Sequence, residues 1–441
     1  MTTSRVFTKN AGKIIEEALR DSRIIAVQQP VNGSDFERGL DALNNIAKHW
    51  QTQDINLWLK EEAILPLITS QAKYLLGPSG AECADANDFN NTTLTAALTA
   101  ANTVITVASS TDMVAAPNIL TSDPTDSVQG WSAINAATLS VSSGLVVTNV
   151  ASSAGGADYT LATTAGETYR VRFNFTLGTS SSVVFSLLNV ATVANTVTLT
   201  GSGNDNELVI TASTAEIIFR VQNVSTTTGH TSTTFDLTYI EEGSGSRIGI
   251  LQTDGTRHWD YVLNVDSATS IDIENGMASA AADAASVYFY TTKLSRPMRI
   301  LSARYASSIT GSEIPTNRWA REEYFDQPDK DASGTINQWY YSPQITDGDL
   351  YVWQVASSDD NILRITYVKA ALVYTENTDE LEFPSEFYIP LKWAISADLG
   401  PSYGVKQDRQ MVLEAKAAST LEEALGHDNE MASMIIQPEF N

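Results

Sequence analysis

The residues of this sequence that could do acid–base chemistry do not form a catalytic arrangement. His258 and Asp260 lie two apart in a strand-like stretch, so their side chains share one face, but no nucleophile or third ligand is nearby. Glu322 and Glu323 are adjacent and therefore diverge, whereas a glycosidase needs two carboxylates that face each other across about 5–10 Å. We expect the histidine–aspartate pair to be structural or to lie in an interface, and we expect no enzyme activity.

The sequence also lacks the usual patterns of metal and cofactor sites. Cys83 is the only cysteine, which excludes an intramolecular disulfide, and one thiol cannot form a structural zinc site by itself. Glycine-rich phosphate loops, nucleophile elbows and HExxH helices are missing, so we expect no cofactor. A calcium ion held by aspartates stays open as an alternative. The histidines are dispersed along the chain and therefore form no local cluster of metal ligands; they are His49, His230, His258 and His427. The aspartates that could hold calcium are Asp123, Asp126 and Asp236.

Composition and charge restrict the class of partner. The chain has 441 residues and a formal net charge of -25, from 52 acidic and 27 basic residues. A chain of this length has room for about three domains of ordinary size. A surface this acidic is not expected to wrap nucleic acid, because such binding depends on neutralising phosphates. We find no secretory leader and no apolar run of about 18 residues, so we expect a protein made in a cytoplasm without membrane contact.

Helical patterns open and close the chain. Ser34 followed by Glu37 predicts a capping box, and GKIIEEALRDSRII predicts an earlier amphipathic helix, with LPLITSQAKYLL as an extension of the resulting hairpin. Near the end, Gly400 and Pro401 predict the stop of a helix in which Pro390 either causes a kink or marks the start. The predicted apolar faces are Phe36, Leu40, Leu43, Ala47 and Trp50; Phe387, Leu391, Ala394 and Ile395; and Met411, Ala415, Ala418, Leu421 and Leu425.

Between these helices the sequence is β-like. Asp254-Gly255 separates two alternating segments and predicts a hairpin, and a second hairpin is expected across residues 357–361. No lysine occurs between Lys73 and Lys293, and residues 117–245 are rich in Ser, Thr, Val, Asn and Gly. In ETYRVRFNFT the apolar residues alternate with polar ones, as in a half-buried strand. We therefore predict a jelly-roll-like β-sandwich inserted into a loop of a smaller β-domain.

Several stretches resemble a known family. In chain order, RGLDALNNIAKHW, SRIGILQTDGTRHWDYV, RPMRILSARY, NRWAREEYFDQP with NQWYYSP, and FPSEFYIPLKWAISADLGPSYGV resemble the head-to-tail adaptor proteins of short-tailed bacteriophages. The resemblance covers roughly residues 5–116 and 246–440, although Pro390 stands where the family's helix usually continues. The insert is separately similar to carbohydrate-binding modules, through PNIL, Trp131, AGETYRVRFNF and FDLTYIEE. The most specific adaptor residues are Trp393, Ala394, Leu399, Gly400, Pro401, Tyr403 and Gly404.

The adaptor resemblance implies a structural virion protein of the phage neck, assembled in the host cytoplasm. It would form a dodecameric ring beneath the portal protein, connect the capsid to a tail nozzle or other tail proteins, and continue a channel through which DNA passes without sequence-specific binding. The acidic composition would suit a wall that repels DNA, with ordinary solubility as the alternative. The closing helices and the C-terminal arm would dock on the portal. The residues assigned to this interface are Tyr403, Met411, Leu421, Leu425, Met431, Met434, Ile435, Ile436 and Phe440.

The alternative to the adaptor is a glycan-binding receptor or decoration protein that acts through the insert. Trp131, the only tryptophan of the insert, could stack on a sugar or contact a tail fibre or spike, although a core position is the common one for such a residue. The two roles are compatible. The predicted fold is α+β and multidomain, with a body of N- and C-terminal helices, a small β-domain and the inserted sandwich. Its parts are residues 1–78 (helical), 79–116 with 246–300 (small β-domain), 117–245 (sandwich), 301–380 (β-hairpins), 381–430 (helices) and 431–441 (arm).

Overall fold

The computed structural model describes residues 9–26, 29–52, 59–120, 122–150, 152–189 and 192–426. These residues divide into two compact units. The first unit is formed within Met1–Asn87, Lys293–Ser357 and Asn361–Asn441, and the second within Asp88–Thr292 and Ser358–Asp360. In the described ranges no helix has the length and apolarity that crossing a membrane requires. The predicted arm, residues 431–441, lies outside the described residues.

Four helices of the first unit share one hydrophobic core, which includes Leu43, Trp50 and Leu391. The predicted capping box is wrong: Asn32, not Ser34, caps the second helix, because its Oδ1 accepts the backbone N–H of Asp35 at 2.8 Å. The helices are α1 (Ala11–Asp21), α2 (Gly33–Thr52), α3 (Arg321–Phe325), α4 (Tyr388–Ser402) and α5 (Gln407–Leu425), and the first, second, fourth and fifth contribute to this core.

Pro390 fits into the first turn of α4. A short 3-10 turn, Ser385–Phe387, precedes the helix, and Pro390 is its third residue. A first-turn residue needs no intrahelical partner for its N–H group, so the proline costs no hydrogen bond there. The helix therefore begins close to Pro390, as one of the two expectations had it. It runs through Gly400 and Pro401, the predicted stop, and ends at the next residue, Ser402.

The first unit also contains an eight-stranded sheet. Residues 60–66 and 73–76 are strands of this sheet and do not extend the helical hairpin as predicted; Ala63, Leu65, Tyr74 and Leu76 are buried in its core. In spatial order the strands are β2 (Lys73–Leu76), β23 (Gly348–Trp353), β22 (Gln338–Pro343), β21 (Ile314–Arg318), β20 (Arg299–Ala306), β24 (Ile362–Val368), β1 (Lys60–Pro66) and β3 (Ala84–Asp85), numbered along the whole chain.

The hairpin predicted across residues 357–361 is wrong. β23 pairs with β22 and β2, whereas β24 pairs with β20 and β1. Both segments are strands, but their partners are brought in from distant parts of the chain. Alternation of apolar residues identifies a strand without naming its neighbour in the sheet.

The second unit contains a six-stranded sheet. Arg247–Leu251 and Arg257–Ser267 form an antiparallel pair across Asp254 and Gly255, which confirms the predicted hairpin; Gly255 has a φ of +87°. In spatial order the strands are β4 (Asn90–Thr93), β19 (Ser286–Tyr290), β16 (Arg247–Leu251), β17 (Arg257–Ser267), β18 (Ser270–Ile273) and β5 (Val104–Thr106).

A β-sandwich forms the rest of the second unit, as the alternating patterns predicted. Two five-stranded sheets share a core in which Phe173, Phe175, Phe185 and Phe219 are fully buried. One sheet has the order β13 (Gly203–Thr211), β10 (Thr168–Thr176), β15 (Thr231–Glu241), β8 (Leu145–Asn149) and β7 (Ala137–Val141). The other has the order β12 (Thr192–Leu199), β11 (Val183–Asn189), β14 (Glu216–Asn223), β9 (Gly156–Ala162) and β6 (Trp131–Ile134).

Candidate functional site

The acidic residues considered for catalysis are used by the fold. Glu323 Oε2 accepts the backbone N–H of Ala320 at 2.6 Å and so completes the start of α3. Asp260 is buried, and its carboxylate accepts the backbone N–H of Asn275 at 2.7 Å and its side-chain amide at 3.0 Å. Burial lowers the pKa of His258, and the carboxylate of Asp260 opposes this shift. These contacts favour the structural role expected for the histidine–aspartate pair.

The calcium alternative does not fit the structure. Asp123 Oδ1 accepts both the N–H and the hydroxyl of Thr125, and its Oδ2 accepts the N–H of Leu237. Asp236 accepts the side-chain amide of Asn174 at 2.8 Å. Among the described residues no group of three or more His, Cys, Asp or Glu side chains could hold a metal ion. Cys83 is buried, which raises the pKa of its thiol and leaves it unreactive.

Trp131 belongs to the core of the sandwich and cannot serve as an exposed platform for a sugar. Its side chain is 8% exposed, its ring lies 5.1 Å from that of Tyr159 and 6.2 Å from that of Phe219, and its Nε1–H donates to the Pro124 carbonyl at 2.9 Å. Trp131 is the first residue of β6, and its ring lies in the core between the two sheets of the sandwich. The role proposed for Trp131 in glycan contact is therefore wrong.

The residues assigned to a portal interface fall into two groups among those the structure describes. Tyr403 packs against the helical core and donates its hydroxyl to Asp35 Oδ1 at 2.6 Å, and Leu421 and Leu425 also pack against this core. Met411 is 62% exposed. The predicted apolar face of α5 is thus divided between packed and exposed residues. The buried residues of this helix are Leu413 and Ala424, and neither belongs to the predicted face. Met431, Met434, Ile435, Ile436 and Phe440 lie outside the described residues.

A cleft of about 330 Å³ opens in the second unit where the outer face of β10 meets β18 and the residues around it. We call it the arginine cleft. Arg170 and Arg172 project outward from β10 because the alternate residues of this strand fill the sandwich core. The lining is Thr103, Val104, Arg170, Arg172, Glu207, Leu263, Asp272, Ile273 and Glu274.

Arg170 organises this cleft. Its side chain is only 6% exposed; Nη1 lies 2.7 Å from Glu207 Oε2, and Nη2 lies 2.8 Å from Glu242 Oε1 and donates to the Glu274 carbonyl at 3.1 Å. Its Nε is buried without a hydrogen-bond partner in the described part of the chain. Because this nitrogen is itself buried, it is not open to a ligand; the more exposed polar side chains of the lining are Arg172, Glu207 and Asp272.

Glu274 brings a second buried polar group to the cleft. It is 7% exposed, and its Oε1 accepts the N–H of Gly243 at 2.9 Å. Burial raises the pKa of this carboxyl, the Gly243 N–H opposes the shift, Glu242 and Asp260 add to it, and Arg170 opposes it. The cleft therefore offers both donors and acceptors, with two arginines near three carboxylates and little net charge.

Replacing Glu274 by glutamine should change how stability depends on pH. Because the pKa of Glu274 is raised on folding, its protonation stabilises the native state; this contribution is complete below the unfolded pKa, about 4.3, and is lost as pH rises through the folded pKa. The melting temperature of the wild type relative to Glu274→Gln should therefore rise as pH falls toward about 4. Thermal scans of both proteins from neutral to acidic pH test this. Curves that stay parallel would contradict the assignment.

Sequence reasoning missed the arginine cleft. Arg170 and Arg172 were recognised as the outer face of a strand, where arginines are ordinarily solvated. Their partners Glu207, Glu242 and Glu274 come from distant strands, so no local spacing links them. The only local signal is the rarity of basic residues in the insert, which makes two arginines on one strand face unusual.

Comparisons with known proteins find similarity in part of the chain. No protein-family model matches, and no curated protein matches. A solved CBM4 structure is 20% identical, covers 27% of this chain and 99% of its own, and has a TM-score of 0.24. A structure of TmCBM61 in complex with β-1,4-galactotriose is 14% identical, covers 29% of this chain and 99% of its own, and has a TM-score of 0.23. The CBM22-1 xylan-binding domain from Paenibacillus barcinonensis Xyn10C is 11% identical, covers 29% of this chain and 96% of its own, and has a TM-score of 0.23. The sandwich of the chain itself is defined by its two sheets and their common core.

Proposed function

We propose that this chain is a non-enzymatic binding protein whose β-sandwich holds a neutral glycan in the arginine cleft. The observation that carries the proposal is the cleft itself, in which the buried guanidinium of Arg170 is held by Glu207 and Glu242 beside the more exposed Arg172. A cleft whose lining is held in this way can bind sugar hydroxyls at a lower cost in side-chain ordering.

The chemistry of the cleft favours a neutral ligand rich in hydroxyl groups. Arginines donate, and Glu207, Asp272 and Glu274 accept, so vicinal hydroxyls can be bound as donors and acceptors at once. A polyanion would be repelled by the carboxylates and by the net charge of -25. The volume, about 330 Å³, is at the lower end of ligand pockets, which suits one end of a chain of sugars.

A glycan array probed with the full chain, its Arg172→Ala variant and its Arg220→Ala variant tests this function. Arg172 lines the cleft, whereas Arg220 is paired with Asp158 at 2.7 Å in the other sheet and serves as the matched control. We expect retention of at least one neutral glycan, a loss of about tenfold or more in affinity for Arg172→Ala, and no change for Arg220→Ala. No retained glycan, or equal losses in both variants, would contradict the proposal.

An exposed apolar strip on α5 favours a second function, that of the head-to-tail adaptor. Met411 is 62% exposed and Val412 45%, and both line a shallow groove of about 620 Å³ with Asp408, Ala415, Lys416 and Ser419. Adjacent exposed apolar residues on one helix suit a partner that covers them. In this function the protein would join a ring under the phage portal in the virion, and the sandwich would face fibres, spikes or host glycans.

Light scattering of the chain mixed with the portal protein of the same phage tests the adaptor function. If the strip binds the portal, we expect a large complex that Met411→Gln weakens. Glu423→Gln, which introduces a glutamine at another exposed position of α5, is the control and should not affect the complex. Deleting residues 431–441 should abolish the complex if the arm reaches the portal. If the chain does not bind the portal protein, the adaptor function is wrong, whereas the proposed glycan site is not affected by that result.

A further inference from the structure

The first unit carries an unusual surface of aromatic residues. We call it the aromatic face: Trp319, Phe325, Tyr340, Tyr351 and Trp353. In β22 and β23 the alternate residues Trp339, Tyr341, Leu350 and Val352 fill the core, so Tyr340, Tyr351 and Trp353 project from the other side of the sheet. Trp319 precedes α3, and Phe325 is its last residue.

The rings of this face lie against one another and are only half-covered. Trp319 stacks on Trp353 at 5.6 Å and Tyr340 on Tyr351 at 5.8 Å, with Phe325 5.5 Å from Tyr351. Phe325 is 45% exposed, and the other four are half-buried. Clustered tryptophan and tyrosine on a rigid sheet are the residues that dominate binding at protein interfaces.

An acidic segment lies beside this face. Residues 322–331 contain five acidic residues and one lysine. Trp353 Nε1–H donates to the Asp329 carbonyl at 2.8 Å, which fixes the acidic loop beside the ring. Burial raises the pKa of Tyr324, and the Asp331 carboxylate adds to this shift. Lys330, the single cation of this stretch, donates its ammonium to the carbonyls of Phe325 and Gln327 and is thereby turned back on its own loop.

Cations of the chain itself already use the edges of this surface. Lys73 lies over the Tyr351 ring at 5.4 Å and Arg321 over Phe325 at 5.3 Å, while Lys330 lies over Tyr324, a buried neighbour of the face, at 5.8 Å. Within the described residues, no lysine or arginine lies over the rings of Trp319, Tyr340 or Trp353. One face of each of these rings is stacked on another ring, so a cation would bind on the opposite face, and tryptophan is the strongest aromatic partner for a cation.

We propose that the aromatic face binds a basic segment of a partner protein, rich in arginine and lysine. Guanidinium and ammonium groups would stack on Trp319 and Trp353, while the carboxylates of Asp329 and Asp331 would attract and orient them. Charge complementarity decides against the other occupants. A second copy of the chain would bring a net charge of -25, and nucleic acid would bring phosphates to the same carboxylates.

Fluorescence anisotropy of a labelled nona-arginine peptide, titrated with the full chain, tests this inference. Trp319→Ala and Trp353→Ala change no charge, so any loss of affinity reports the rings and not the acidity of the chain. We expect each to weaken binding by about tenfold, while Trp259→Ala, a half-buried tryptophan of the second unit, should leave it within about twofold. Binding should also weaken between about 50 mM and about 300 mM salt.

A second pair of variants keeps the test decisive if a tryptophan variant fails to fold. Asp329→Asn and Asp331→Asn should together weaken binding of nona-arginine, whereas Glu422→Gln and Glu423→Gln on α5 remove the same charge elsewhere and should not. Equal effects of the two pairs, or of all three tryptophan variants, would mean non-specific attraction and overturn the proposal. Quenching of Trp319 and Trp353 by a neutral oligosaccharide in place of the peptide would overturn it as well.

Discussion

Phe185→Ala should destabilise the β-sandwich by about 3–5 kcal/mol, the usual cost of removing a buried aromatic side chain and leaving a cavity. Phe185 is fully buried on β11, and its ring lies 4.2 Å from that of Phe173, 5.1 Å from Phe175 and 6.1 Å from Phe219. These contacts join the two sheets, so the cavity would lie at the centre of the core. Denaturant unfolding of the full chain, with amide exchange to identify the sandwich, measures the loss.

Val193→Ala is the control for this prediction. Val193 is 51% exposed on β12 of the same sandwich, and its truncation should change the free energy of unfolding by less than about 0.5 kcal/mol. A sandwich that tolerated Phe185→Ala as well as it tolerated Val193→Ala would not have the common core described above. The first variant should also lose glycan binding at temperatures at which the sandwich is partly unfolded.

Arg257→Met should destabilise the second unit by a similar amount, about 3–5 kcal/mol, because it removes a buried guanidinium that donates hydrogen bonds to several acceptors at once. The Arg257 side chain is 2% exposed and lies 3.0 Å from Asp360 Oδ1. It also donates to the carbonyls of Asp359, Gly249 and Ser286, and its guanidinium covers the Tyr288 ring at 3.8 Å. Those acceptors would lose the guanidinium as a donor, and Asp360 Oδ1 would keep only the hydroxyls of Ser286 and Tyr288 among its side-chain donors.

Two further variants separate the charge of Arg257 from its shape. Arg257→Lys keeps the charge but cannot reach four acceptors at once, so it should lose most of the same stability. Arg220→Met removes a more exposed pair with Asp158 and should cost no more than about 1 kcal/mol. Thermal unfolding and amide exchange in β16, β17 and β19 would show the difference. Equal losses for Arg220→Met and Arg257→Met would contradict the role given to the buried guanidinium.

The sequence predicted strands and buried faces where the pattern was local. Tyr169, Val171, Phe173 and Phe175 alternate along β10, and all four lie in the sandwich core. Phe387, Leu391 and Ile395 recur at helical spacing, and all three lie in the helical core. Such patterns follow from the geometry of a single element, which is why the alternation of the insert was enough to predict a β-sandwich.

Pairing and burial of charge could not be predicted in the same way. The alternation of β23 and β24 identified two strands, but their partners come from other parts of the chain, and the expected hairpin is absent. On α5 the helical spacing predicted one apolar stripe from Met411 to Leu425, but the structure divides it: Leu421 and Leu425 pack against the helical core, whereas Met411 is exposed. Leu413, which lies outside that stripe, is buried. Arg170 is buried because Glu207 and Glu242 meet it across neighbouring strands, a contact set by the sheet and not by the sequence around it.

Hydrogen–deuterium exchange of the full chain, with and without a saturating neutral glycan chosen from the array, is the most direct test of the glycan site. If the arginine cleft is the site, protection should rise in peptides that cover Thr168–Thr176 and Ser270–Ile273, and Arg172→Ala should abolish the change. Protection confined to other segments, above all to the aromatic face, would contradict the assignment of glycan binding to the sandwich.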